Sequence, residues 1–186
     1  MGRIVITEFV SLDGVMEDPG GAEDFEHGGW TFEIGQGDEG AEFKLKETFD
    51  SDALLLGRRT YEGFAAAWPE RDGDFADKFN SMPKYVVSST LKDPEWTNSH
   101  VLGGDLVEEI TRLRDEIGGD IVVHGSARLA QGLIENDLVD EVRLMMFPVV
   151  LGTGKRLFGP SGKKRLKLAE SRTTGTGCVI LRYERI

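Results

Sequence analysis

The residues best suited to chemistry lie just after apolar runs. Gly57-Arg58-Arg59-Thr60-Tyr61-Glu62 follows Ala53-Leu-Leu-Leu56. A glycine there permits a tight turn and close backbone approach. The next residues read as the start of a helix, whose free N–H groups and dipole favour an anion. Two arginines at a helix N-terminus oppose that dipole, and a bound phosphate would resolve the conflict. The plain alternative is that Arg58 and Arg59 pair with surface acids. Val86-Val-Ser88-Ser89-Thr90 offers three hydroxyls, either to a phosphate or ribose or to a simple Ser/Thr turn. Val122-Val-His124-Gly125-Ser126-Ala127-Arg128-Leu129 places small residues between a strand and a helix. Its backbone N–H groups suit a pyrophosphate, or it is an ordinary turn with Ser126 as N-cap. Open parallel sheets bind ligands at the carboxyl ends of their strands. Three such ends, at like positions in successive strand–helix units, point to one extended multi-phosphate ligand, and a dinucleotide fits.

The elements that must position these residues follow from apolar spacing. Strands are expected at Arg3–Val10, Asp52–Gly57, Lys84–Ser89, Asn98–Leu102, Asp120–His124 and Asp140–Phe147. Helices are expected at Glu39–Phe49, Arg58–Ala67, Asp74–Asn80, Leu106–Glu116 and Ala127–Glu135. Trp68-Pro69 and Gly118-Gly119 stop two of them. Residues 15 to 37 are rich in glycine and acid and show no periodicity. They read as a long loop, of the kind that covers a substrate as a mobile lid. Leu166–Arg172 and Cys178–Tyr183, joined by Thr173-Thr-Gly-Thr-Gly177, read as a hairpin. The pattern predicts one α/β domain over 1–186: a mostly parallel sheet, helices on both faces and an antiparallel edge.

Composition narrows the function classes. The chain has 186 residues, 39% apolar and 30% charged, which suits one globular domain. Its net charge of −11 opposes nucleic-acid binding, which rests on cation-to-phosphate contacts. Trp30, Trp68 and Trp96 are too separated for a base-stacking platform. No run approaches the roughly 18 apolar residues of a membrane span. Met1-Gly-Arg-Ile-Val-Ile lacks the pattern of a signal peptide. Cys178 is the only cysteine, so there is no internal disulfide and no cysteine-built zinc cage. His27, His100 and His124 show no metal spacing. A cytoplasmic protein is expected, with a small-molecule substrate and no metal.

Several sharper motifs fail. Gly152-Thr-Gly-Lys155 lacks the glycine and the Ser/Thr that a phosphate-binding P-loop needs around its lysine. Ser126 is not in a nucleophile elbow, because His124 stands where glycine is required. No Gly-x-Gly-x-x-Gly follows a strand.

As an ordered set, these segments resemble a known family. Gly57-Arg-Arg-Thr-Tyr-Glu62 is similar to the Gly-Arg-x-Thr-(Trp/Tyr)-Glu segment of dihydrofolate reductases, and Tyr85-Val-Val-Ser-Ser89 and Val123-His-Gly-Ser-Ala-Arg-Leu129 match segments spaced after it. Ser11-Leu-Asp-Gly14, Leu138-Val-Asp-Glu-Val-Arg-Leu144 and Pro148-Val-Val-Leu-Gly-Thr-Gly154 more closely resemble the reductase domain of bifunctional riboflavin-biosynthesis deaminase–reductases and its stand-alone relatives.

The resemblance implies a three-layer α/β/α dihydrofolate reductase-like fold with a mixed sheet of about eight strands. It implies NADPH as cofactor, hydride transfer to a carbon–nitrogen double bond or an opened ribose, and a homodimer. Gly57, Arg58, Arg59 and Thr60 would hold cofactor phosphate. Arg58 or Arg59, with Ser88 or Ser89, would hold the 2′-phosphate. Gly125, Ser126, Ala127 and Leu129 would pack on the pyrophosphate. Asp13 and Gly14 would lie near the nicotinamide. No deaminase domain accompanies these motifs, and His124-Gly-Ser replaces the Gly-Gly of dihydrofolate reductases. Their catalytic acid lies on the helix after the first loop. Here that region offers Asp38, Glu39 and Glu42 without a matching motif, so Asp13 and Glu42 are the candidate acids. The expected activity resembles that of the riboflavin-pathway pyrimidine reductase. A dinucleotide-binding protein without catalysis and a dihydrofolate reductase proper are the alternatives.

Overall fold

Ile4-Val5-Ile6, Ala53-Leu-Leu-Leu56 and Ile121-Val-Val123 are continuous apolar runs, the mark of strands covered on both faces. In the computed structural model, which describes residues 1–186, all are central strands. In chain order the elements are β1 (Arg3–Ser11), α1 (Trp30–Ile34), α2 (Gly37–Asp50), β2 (Ser51–Gly57), α3 (Arg58–Ala67), α4 (Asp74–Ser81) and β3 (Lys84–Val87). There follow β4 (Ser99–Leu102), α5 (Leu106–Glu116), β5 (Asp120–Val123), α6 (Ala127–Glu135), β6 (Glu141–Phe147), β7 (Leu166–Thr173) and β8 (Val179–Arg185). One sheet of 8 strands has the order β4-β3-β2-β5-β1-β6-β8-β7. It is parallel from β4 to β6, and β8 and β7 add the antiparallel edge. The expected fold class is the observed one.

Strand alternation divides the core into two layers. Ile4 and Ile6 pack with Ile110 and Leu113 of α5 and with Leu129 and Leu133 of α6. Val5, Leu54 and Leu56 face the other way, onto Tyr61 of α3 and Phe79 of α4. The neighbours β1 and β5 therefore send their connections to opposite faces, the kind of switch point at whose carboxyl ends open α/β sheets form a ligand crevice.

The segment expected to be an irregular lid holds a short helix and buried anchors. Trp30 is 2% exposed, meets Phe147 edge-on at 5.4 Å, and donates from Nε1 to the Glu17 carbonyl at 2.9 Å. The buried Asp18 carboxylate accepts from Ala22 N at 2.6 Å. These contacts are tertiary, so local periodicity carries no trace of α1. The strand expected to run to Ser89 ends at Val87, and Ser88 begins a turn.

A buried ion cluster ties α2 to the sheet. Arg143 of β6 pairs with Glu141 at 2.6 Å, Asp120 of β5 at 2.9 Å and Glu47 of α2 at 3.4 Å. Removing this cation takes one partner from each of three acids but leaves them Arg3, Arg182 and Lys44, so the loss falls at the low end of the about 3–5 kcal/mol that breaking a buried pair costs. Arg143→Met is expected to lower unfolding free energy by that order in urea titration. An unchanged midpoint would show that the cluster does not hold α2.

Candidate functional site

The ends of β2 and β5 meet more closely than side chains would allow. A Cβ added at Gly57 would collide with the Ser126 hydroxyl and lie 3.1 Å from the Ser126 backbone nitrogen. Gly57 N–H donates to the Gly125 carbonyl at 3.2 Å. Gly125 has φ +101°, a conformation that favours glycine, and a Cβ there would lie 2.9 Å from Thr60 Oγ1. The two strands bring the starts of α3 and α6 together before the helices leave to opposite faces of the sheet. Neither helix has a side-chain cap, although Ser126 occupies the N-cap position of α6. By contrast, Asp105 caps α5 by accepting from Val107 N and Glu108 N. Ala127 and Leu129 are buried and pack α6 onto the sheet. Two neighbouring helix starts with N–H groups unclaimed by side chains fit the phosphate groups of a dinucleotide.

The flanking residues divide. Arg58 pairs with Glu62 at 2.9 Å on the surface, which is the plain alternative expected for it. Arg59 is exposed and forms no ion pair; burial pushes Glu17 up, but Lys155, with a smaller pull from Arg59, holds it below its ordinary range. Ser88 Oγ accepts from Leu91 N at 3.0 Å and Thr90 N at 3.2 Å, so it stabilises a turn. Ser89 is exposed beside it.

Asp13 lies just past the carboxyl end of β1 and clamps a distant loop. Its carboxylate accepts from Ser11 Oγ at 2.7 Å, Leu151 N at 3.1 Å and Gly152 N at 2.9 Å. The Ser11 hydroxyl and then these backbone donors lower its pKa to about 2. At neutral pH it has no proton to give. Gly14, at φ +79°, makes the turn that follows. Glu42 stands on the exposed side of α2, because the helix turns Gly40, Lys44, Glu47 and Thr48 inward.

A second set of polar groups is packed between α2, β1 and the end of β5. Lys44 Nζ donates to Thr7 Oγ1 at 2.6 Å and Glu47 Oε1 at 3.0 Å, and lies 4.9 Å from the Phe9 ring centroid. Burial pushes Glu47 up, but Lys44, His124 and Arg143 outweigh it and hold the carboxyl below its ordinary range. His124 follows β5 next to Thr7 in register and packs edge-on against Phe79 at 5.4 Å. Burial, then Lys44, lower its pKa to about 3 against the pull of Glu47. An ammonium beside a neutral imidazole can donate to a carbonyl oxygen or ring nitrogen of a ligand. The signal in the sequence was Thr7-Glu8 interrupting an apolar strand, and Lys44 and Glu47 three apart on one helix face.

Two expectations follow. Gly57→Ala should destabilise by about 1–3 kcal/mol, as overpacking does, and Ser126→Gly in the same chain should recover most of it. Additive losses in a thermal-melt double-mutant cycle would show that the two residues do not meet. His124 is neutral when folded and protonates near 6.5 when unfolded. The unfolded chain thus binds more protons between pH 6.5 and about 3, and stability falls as pH falls through that window. His124→Gln should flatten Tm between pH 7 and 5; the same slope as wild type would remove His124 from the cluster.

Similarity to known proteins agrees with this architecture. The chain is 31% identical to the uncharacterized protein YyaP of Bacillus subtilis, covering 97% of this chain and 94% of that one. It is 29% identical to YwjB of the same organism, covering 98% of each. The fold is similar to the crystal structure of a putative riboflavin biosynthesis protein from Shewanella sp. PV-4, with TM-score 0.76, 22% identity and 99% of each chain covered. It is also similar to a pyrimidine reductase-like protein from Corynebacterium diphtheriae, with TM-score 0.66, 15% identity, and 99% and 92% covered. The family model of the RibD C-terminal domain matches residues 3–180, and the chain belongs to that family.

Proposed function

We propose that the protein is an NADPH-dependent reductase of a small, planar, polar substrate, similar in activity to 5-amino-6-(5-phosphoribosylamino)uracil reductase of riboflavin biosynthesis. The observation that carries this is the pair of uncapped helix starts brought together by Gly57 and Gly125. The pyrophosphate rests on these N–H groups, Arg59 with Ser89 holds the 2′-phosphate, and the nicotinamide half reaches the crevice between β1 and β5. The cofactor supplies the hydride. The chain supplies position: the substrate lies under the segment from Val15 to Gly37, with Lys44 and His124 donating to its oxygen or nitrogen atoms. A dihydrofolate reductase proper fits less well, because the polar groups α2 turns inward include Lys44. A dinucleotide-binding protein without catalysis is the second reading, favoured by the clamped Asp13 and the exposed Glu42. A homodimer would cover Leu166 and Leu168, exposed on β7.

Calorimetric titration with NADPH and NADH tests the cofactor. Wild type should prefer NADPH, and Arg59→Ala should lose about tenfold of that preference, near 1.4 kcal/mol, with a smaller effect from Arg58→Ala. No binding of NADPH would sink the proposal. NADPH oxidation across pterins and ribosylamino-pyrimidines then separates reductase from binder.

A further inference from the structure

Glu8 is the one buried carboxyl with an oxygen that no group in the chain partners. It is 7% exposed, and its Oε1 finds no hydrogen-bond partner. Its place in β1 follows from register. Ile6 pairs with Val123, so Glu8 lies opposite Gly125, where β5 gives way to α6. Alternation puts its side chain with Ile4, Ile6 and Val10, on the side of the sheet that α6 covers. Thr7 and Phe9 point the other way, towards Lys44.

The surroundings offer Glu8 no ion pair. Lys44 and Glu47 of α2, Glu23 of the first loop and the Gly125 N–H are the charged and polar groups that act on it. Lys44 turns two of its three donors to Thr7 and Glu47 on the other face of β1. Burial is the largest influence and holds the Glu8 carboxyl well above the usual range. A protonated carboxyl has one O–H donor and keeps acceptor capacity. A primary carboxamide has the complementary pair, a carbonyl acceptor and an NH2 donor. The α6 side is also where the pyrophosphate would rest.

We propose that the Glu8 carboxyl group binds the carboxamide of the nicotinamide, so that β1 itself orients the ring that carries the hydride. This rests on the NADPH reading above. Its substrate-facing counterpart is the Lys44–His124 side of β1, which Glu8 does not share.

The test compares NADPH with 2′-phospho-ADP-ribose, the same ligand without nicotinamide, by calorimetry on wild type, Glu8→Ala and Glu8→Gln. Glu8→Ala should weaken NADPH about tenfold, the order of one or two hydrogen bonds, and leave the fragment unchanged. Glu8→Gln, which still donates and accepts, should keep most of the affinity. Wild-type affinity for NADPH should fall as pH rises through the elevated Glu8 pKa, because the ionised carboxylate only accepts. Glu8→Gln and the fragment should show no such fall. Glu47 and His124 both titrate below that window. Unchanged NADPH affinity in Glu8→Ala, or an equal loss for the fragment, overturns the proposal. So does a Glu8→Gln variant that binds NADPH with the wild-type pH dependence. Failure of wild type to bind either ligand overturns the cofactor reading first, and is distinguishable by the fragment.

Discussion

The approach of Gly57 to Gly125 and Ser126 is the contact on which the candidate site depends. Two parallel strands lie about 4.8 Å apart, and the helices that follow them diverge unless the turns are very tight. With no Cβ at Gly57 and a positive φ at Gly125, both helices begin at once, next to each other. Neither start carries a side-chain cap. A single uncapped start is a weak feature. Two at neighbouring strand ends are a stronger one, and the direction of a helix dipole favours an anion at its start.

Behind these helix starts the sheet carries an uncommon load of buried charge. Glu47 joins two systems: towards the base of the strands it meets Arg143, which also holds Asp120 and Glu141, and towards the crevice it holds Lys44 and Thr7. A buried salt bridge is weak evidence for stability, because desolvation offsets most of the Coulomb gain. Here it sets geometry. Lys44 is a flexible side chain, and two acceptors in fixed positions leave it one direction to point. Burial acts oppositely on two neighbours: it holds His124 well below and Glu8 well above their ordinary ranges, while Lys44 pulls both down and Glu47 pushes both up. Proton-bearing groups of different kinds therefore stand on the two faces of one strand, an arrangement suited to a site where a cofactor and a substrate meet.

Much of the fold and of the paired helix starts was legible along the chain, whereas the inner polar groups were not. Strands such as Ala53-Leu-Leu-Leu56 declare themselves because burial on both faces demands unbroken apolar residues. Gly57 and Gly125 stand out because only glycine serves where backbones nearly touch or φ is positive. These are local constraints, and residue type reports them directly. What Asp13, Arg58 and Ser88 do was decided otherwise. Asp13 closes on a loop 138 residues away, Arg58 on Glu62 and Ser88 on its own turn, so a residue type suited to a ligand was taken up by the protein. Glu8, Lys44, Glu47 and His124 come from two elements and the end of a third, and their protonation or direction depends on one another. The sequence by itself determined where backbone could approach backbone. Only the tertiary structure decided which side chains are buried together, because desolvation and charge pairing depend on neighbours that sequence distance does not reveal.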